Sequence, residues 1–197
     1  LAASLVFAVL AVSAGPHAAS RAPVRAAHGM VGSTEEHATR VGVEVLRRGG
    51  NAVDAAVAVG FALAVTHPSA GNIGGGGLMV IRFADGRTTS VDYREMAPAG
   101  ASRDMFLDAE GKVVTERSLV GPLAAGVPGS VAGLAHVHRK FGSLPWGDLV
   151  APAVALAADG FVVSDALARS LQGSRKLLER FPETRRVLLK DGAFWQH

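Results

Sequence analysis

Apolar and polar positions take up a helical spacing soon after residue 33. Ser33-Thr34-Glu35-Glu36 reads as a capping box, with Ser33 as the cap and Glu36 three residues on. The helix it predicts runs through Thr39, Val43, Val45 and Leu46. Arg47 and Arg48 fall in its last turn, where cations suit the helix dipole, and Gly49-Gly50 stop it. Asn51 opens a second helix with Asp54 in its first turn. From Ala52 to Val65 that helix is apolar on nearly every side, which predicts burial in a core. Its length of about 14 residues is short for a bilayer, which takes about 20. Pro68 ends it.

The pattern then changes. Gly71-Asn72-Ile73-Gly74-Gly75-Gly76-Gly77 carries almost no side chains. A strand is expected over Leu78–Phe83 and a second, alternating one over Thr88–Glu95, joined by a turn at Asp85-Gly86. Met96-Ala97-Pro98 breaks the second strand. Ser102–Leu107 reads as a short helix and Asp108–Gly111 as a turn. Further helices are expected from Pro128 or Gly129 to Phe141, from Pro145 to Asp159, and from Ser164 or Asp165 to about Arg180, ended by Pro182. Val187 to His197 reads as a strand or loop. The order of helix, helix, hairpin and more helices predicts a mixed α and β fold, with the sheet edge near Leu78–Glu95.

Residues 1–20 contain no Lys, Arg, Asp or Glu, and Leu5–Val12 is a continuous apolar run followed by small residues and Pro16. That run is too short to span a bilayer. It reads as the apolar part of an export signal with cleavage near Ala14 or Ala19. The chain starts at Leu1 without Met or a charged leader, so the signal is expected to be truncated. The division is therefore residues 1–25 as signal peptide and 26–197 as the folded portion. The expected location is periplasmic or secreted.

Composition narrows the chemistry. Of 197 residues, 49% are apolar, which suffices for a packed core. There is no cysteine, so disulfides, thiolate metal sites and a cysteine nucleophile are excluded. A net charge of +3 with alternating signs and only 6% aromatics argues against a nucleic-acid surface. Arg175, Lys176, Arg180, Arg185 and Arg186 are interrupted by Glu179 and Glu183, as on a solvated helix face.

Few residues invite a catalytic reading. The glycine run lacks the strand-before, helix-after context and the Gly-Lys-Ser/Thr ending of a phosphate loop. It predicts either tight packing of the hairpin on the buried helix or a loop that shapes a nearby pocket. His136 and His138 are two apart on a helix, His67 sits at a helix end, and no pair has zinc-binding spacing. No metal or cofactor is expected. No Gly-x-Ser-x-Gly elbow is present. Arg94 shares a strand face with Asp92 and Ser90, opposite Val91 and Tyr93. At a strand end, its guanidinium can offer two parallel donors to a carboxylate. Spacing alone equally allows a pairing with Asp92, Glu95 or another acid.

Several strings occur together and in order. They are Gly49-Gly50-Asn51-Ala52-Val53-Asp54-Ala55-Ala56-Val57-Ala58, Thr66-His67-Pro68, Gly74–Gly77, Asp92-Tyr93-Arg94-Glu95-Met96-Ala97-Pro98, Gly126-Val127-Pro128-Gly129-Ser130-Val131-Ala132-Gly133 and Ala157-Ala158-Asp159-Gly160-Phe161. Any one would be weak. As a series over residues 29–197 they resemble the gamma-glutamyltranspeptidase family.

The resemblance implies an α+β fold, the αββα sandwich of the N-terminal-nucleophile hydrolases, incomplete in this chain. It implies a precursor that cuts itself into a large and a small subunit. The new N-terminal threonine attacks a gamma-glutamyl amide such as glutathione, and water, an amino acid or a peptide resolves the acyl-enzyme. The chain corresponds to the N-terminal part of the large subunit. The threonine, the oxyanion-hole glycines and the small-subunit partner are expected beyond His197, so the chain alone is expected to be inactive. One site residue carries over: Arg94 resembles the arginine that holds the donor α-carboxylate. The expected partners are thus a gamma-glutamyl substrate, an acceptor and the chain's own small subunit, with no nucleic acid and no stable membrane span. Two other readings are a cephalosporin (glutaryl) acylase of the same family and a noncatalytic scaffold paralogue.

Overall fold

The first two helices are joined by a tight glycine stop. Helix α1 spans Glu36–Arg47, and Ala38, Gly42 and Val45 form its buried stripe at i, i+4, i+7 spacing. Glu35, not Ser33, caps it: the Glu35 carboxylate accepts the Ala38 N–H at 2.9 Å. The Ser33 hydroxyl is engaged instead with the Glu35 carbonyl and Thr39. At the other end Gly49 N–H bonds the Leu46 carbonyl and Gly50 N–H the Val45 carbonyl, with Gly49 at φ 88°. This paired arrangement needs the left-handed conformation that glycine supplies cheaply. The structure, a computed structural model, describes residues 23–190 and 193–194. The expected export run Leu5–Val12 and its cleavage sites lie outside the described residues.

Helix α2, Ala52–Thr66, starts in a full capping box. The Asn51 side chain accepts the Val53 and Asp54 N–H groups, and the Asp54 carboxylate accepts the Asn51 N–H at 2.9 Å. Val57, Ala58 and Ala62 are fully buried. A side chain at Gly42 would strike Val59 and Val31, so the glycine sets the close approach of α1 and α2. The all-apolar pattern of α2 predicts burial on every side, but Ala52 and Ala56 are exposed and Val59 and Leu63 only half-buried. These residues line a cavity of ≈510 Å³.

Strands β1 (Leu78–Arg82) and β2 (Thr88–Asp92) form an antiparallel hairpin, with Met79 opposite Val91 and Ile81 opposite Thr89. The turn closes through Phe83 N–H to the Arg87 carbonyl, with Gly86 at φ 88°. Met79, Ile81 and Val91 pack on the core formed by Val45, Val57, Phe61, Leu134, Val137 and Leu149. The opposite face leaves Leu78 67% and Val80 79% exposed.

Helices α3 (Ser130–Phe141) and α4 (Trp146–Asp159) complete that core. Leu149 is fully buried, which contributes about 2–3 kcal/mol by area removed from water. Trp146 meets Phe61 edge-on at 5.4 Å.

Three expectations change. Ser102–Leu107 is a run of turns, because Phe106 and Leu107 are recruited into a bridge with Val113 and Val114, and six residues do not repay helix nucleation. The single helix expected to Arg180 breaks at Ser174 into α5 (Asp165–Gly173) and α6 (Arg175–Leu178), where Gly-Ser offers weak helix propensity. Pro182 opens a new helix, α7 (Pro182–Leu188), as proline at a first helical position can, and β3 (Leu189–Lys190) then pairs with β4 (Ala193–Phe194). Two 3-10 turns, Thr115–Ser118 and Pro122–Ala124, carry no periodic signal in the sequence.

Candidate functional site

Pro68 stops α2, and the chain doubles back through Gly71, whose N–H bonds the His67 carbonyl at 2.7 Å. A Cβ on Gly71 would lie 2.0 Å from the Leu63 carbonyl oxygen, so no other residue fits there. The glycine run then crosses to α3. Asn72 Oδ1 accepts both the Gly75 N–H and the Ser130 hydroxyl, each at 2.8 Å. The Gly75 carbonyl accepts the N–H groups of Gly129 and Ser130 at 2.8 and 2.9 Å, satisfying donors that a helix start leaves free.

Beside this loop runs the extension of β2. Tyr93 and Gly77 exchange backbone bonds, at 2.9 Å from the Tyr93 N–H and 3.4 Å from the Gly77 N–H. Met96 and Val127 exchange another pair, at 3.3 and 2.8 Å. Tyr93–Met96 is therefore flanked by the glycine run on one side and by residues 126–129 on the other. The fit is close. A Cβ on Gly76 would lie 2.6 Å from Arg94 Cα, one on Gly129 would lie 2.0 Å from the Tyr93 carbonyl oxygen, and one on Gly133 would lie 2.2 Å from the Tyr93 ring. Burial of that ring pushes the Tyr93 hydroxyl pKa up.

Out of this glycine cradle projects Arg94. Its side chain is 62% exposed, on the strand face the alternation predicts, with Asp92 and Ser90. Its charged contact is Glu95 Oε1 at 3.4 Å. The pairing with Asp92 allowed by spacing does not form through the side chain: the Asp92 carboxylate accepts the Arg94 backbone N–H at 2.9 Å. An exposed ion pair between sequence neighbours is worth about 0–1 kcal/mol. The guanidinium thus sits on rigid backbone with most of its donor capacity turned to solvent, an arrangement suited to a carboxylate ligand.

The remaining candidates fall elsewhere. Of the two readings of the glycine run, the pocket-shaping one is met, since Gly71, Asn72 and Gly76 help line the ≈510 Å³ cavity, while the close packing of Gly71 is on the end of α2 and that of Gly76 and Gly77 on residues 93–95. Arg94 does not line that cavity, whose walls are mainly α2. Of the basic cluster, Arg175 pairs with Glu179, Arg186 with Glu183 and Arg180 with Glu116, on exposed side chains. His138 bonds the Leu144 carbonyl at 2.7 Å. Among the described residues no three His, Asp or Glu side chains gather to hold a metal ion, and no helix is long and apolar enough to cross a membrane. The roles of Asn72 and Ser130 escape sequence reasoning, because 58 residues separate them and no periodicity links them.

The gamma-glutamyltranspeptidase family model matches residues 38–197. The chain belongs to this family. It is 54% identical over 172 residues to the glutathione hydrolase proenzyme of Escherichia coli K12, covering 86% of this chain and 30% of that protein. The chain thus spans less than a third of the curated relatives' length. The crystal structure of Helicobacter pylori gamma-glutamyltranspeptidase superposes with a TM-score of 0.86 at 42% identity, over 89% of this chain and 51% of that one. A cephalosporin acylase from Bacillus halodurans stands further off, with a TM-score of 0.68 at 25% identity, over 88% of this chain and 32% of that one. The α+β, N-terminal-nucleophile hydrolase fold implied by the motifs is confirmed by these neighbours. Within the gamma-glutamyltranspeptidase framework the helices and hairpin described here are one part of the αββα sandwich.

Proposed function

We propose that residues 26–197 are the N-terminal portion of the large subunit of an exported gamma-glutamyltransferase, or glutathione hydrolase, and that Arg94 grips the α-carboxylate of its gamma-glutamyl donor. Residues 1–25 are the export signal in this reading, and the mature protein is periplasmic or secreted. The observation that carries the proposal is the Arg94 guanidinium, exposed and weakly paired, on a backbone wedged between Gly76 and Gly129.

The chemistry divides between this chain and the rest of the precursor. A threonine freed by self-cleavage attacks the gamma-carbonyl, its own terminal amine takes the hydroxyl proton and passes it to the departing amine as the amide C–N bond breaks, and the acceptor then cleaves the resulting ester. Arg94 contributes two parallel N–H donors to the donor's α-carboxylate. That contact is worth about 1.5–3 kcal/mol and fixes one end of the substrate, so the gamma-carbonyl at the other end meets the nucleophile. Glutathione and other gamma-glutamyl amides are the donors, and water, amino acids or peptides the acceptors.

Replacing Arg94 by Ala in the full-length protein tests this. The expected result is a KM for the gamma-glutamyl donor raised about tenfold or more, with self-cleavage intact. An unchanged KM removes Arg94 from the site. Similarity to the acylase keeps a second donor class in view, and a side-by-side assay of glutathione and a glutaryl amide separates them. Failure of the full-length protein to cleave itself and to release glutamate would favour a noncatalytic scaffold.

A further inference from the structure

A glycine-rich loop loses more conformational freedom on ordering than any other segment, so something outside it must hold it still. Here backbone bonds to the Gly75 and Gly77 carbonyls share that work with two side chains. Asn72 Oδ1 receives the Gly75 N–H from within the loop and the Ser130 hydroxyl from α3, both at 2.8 Å. Ser130 is 5% exposed, so its hydroxyl has little access to water as an alternative partner. The Gly75 carbonyl is tied to the same helix start by two backbone N–H groups. One residue further on, Gly76 lies against Arg94 Cα and Glu95 N. The path from Ser130 to the guanidinium runs through Asn72, Gly75 and Gly76, with every step a hydrogen bond, a peptide bond or a direct contact.

We infer that Asn72 and Ser130 form a clasp that positions Arg94 for the donor carboxylate. The inference rests on the reading of Arg94 given above. Both are positioning residues, because they act through the glycine run. With the clasp open, the Gly75 carbonyl keeps its two bonds to the start of α3, but the Asn72–Gly75 turn loses its side-chain tie to that helix, so Gly76 sits less firmly against Arg94 Cα and Glu95 N. Among the described residues the Arg94 side chain has only Glu95, at 3.4 Å, as a charged contact, so the place of its fork depends on how firmly the backbone beneath it is held. The cost falls on donor binding through the carboxylate and not on the attack at the gamma-carbonyl.

The test uses the full-length, self-cleaved protein and two donors: a gamma-glutamyl amide, and the same amide lacking the α-carboxylate. Ser130→Ala is expected to raise KM for the first donor about fivefold to tenfold with kcat nearly constant, and to leave kcat/KM for the second unchanged. Ser130→Thr, which keeps the hydroxyl, is expected to restore the native KM. In an Arg94→Ala background, Ser130→Ala is expected to add nothing further. Equal losses on both donors, or no loss at all, overturn the clasp while Arg94→Ala keeps its own effect on KM. If Arg94→Ala itself has no effect, the substrate reading fails first and the clasp with it. Should Ser130→Ala block self-cleavage, Asn72→Ala at its exposed position carries the same two-donor comparison.

Discussion

The Asp54 carboxylate accepts the Ser143 hydroxyl at 2.5 Å across 89 residues of chain. It also accepts the backbone N–H groups of Ser143 and of Asn51, at 3.0 and 2.9 Å. A single buried carboxylate therefore caps α2 and fastens the loop between α3 and α4. Burial acts to raise its pKa, but the Ser143 hydroxyl and the surrounding N–H donors outweigh that and hold it below the ordinary aspartate value.

The first prediction concerns stability. Asp54→Ala leaves buried N–H donors without an acceptor and removes a helix cap, so a loss of about 2–4 kcal/mol is expected. Thermal or denaturant unfolding of the full-length protein measures it. The pH dependence has a definite sign. Because the folded pKa is depressed, Asp54's contribution is present above its unfolded value of about 3.9 and is lost as pH falls through the folded one. Asp54→Asn, which does not titrate, should flatten that acid limb of the stability curve. An identical acid limb in both proteins would show that Asp54 is not its source.

Two glycines should respond in opposite ways. Gly129→Ala puts a Cβ 2.0 Å from the Tyr93 carbonyl oxygen, so backbone must move. A loss of about 3 kcal/mol or more is expected, visible as a lowered Tm or failed maturation. At Gly74 nothing lies within 4 Å of a new Cβ, and Gly74→Ala should stay within about 0.5 kcal/mol of the parent.

Arg94 can be probed for geometry as well as charge. Arg94→Lys keeps the positive charge but loses the planar fork. Its donor KM should rise about threefold to tenfold, between the parent and Arg94→Ala. Steady-state kinetics on a gamma-glutamyl amide give the ranking. A KM for the lysine variant equal to the parent's would make the contact a simple charge effect.

In the proposed reading the nucleophile lies outside these residues. The 197-residue chain by itself should therefore release no glutamate from glutathione, at any enzyme concentration tested. Measurable release would move the chemistry onto this chain and undo the division of labour proposed here.

Local signals carried most of the elements. Gly49-Gly50 marks the end of α1, Asn51 and Asp54 the start of α2, and Asp85-Gly86 the hairpin turn, because each is settled within a few residues by backbone conformation and capping. The side of β2 on which Arg94 stands followed from strict alternation. Elsewhere the expected boundaries moved: a Gly-Ser step broke a helix at Ser174, Pro182 began one instead of ending one, and residues 102–107 closed into turns as Leu107 bridged to Val113 and the Phe106 carbonyl accepted the Val114 N–H.

From the order of its residues alone, this chain declared its family motifs, its apolar helix and the arginine that the motifs single out. Those properties are encoded in short strings that need no partner to be read. What only the folded arrangement decided is why the glycines are where they are. Gly76 lies far along the chain from Gly129 and Gly133, yet each makes room for Tyr93 or Arg94. The capture of Ser143 by Asp54 and of Ser130 by Asn72 belongs to the same class. A hydrogen bond or a steric limit between distant residues exists only once the core has brought their segments together, and no spacing in the sequence records it.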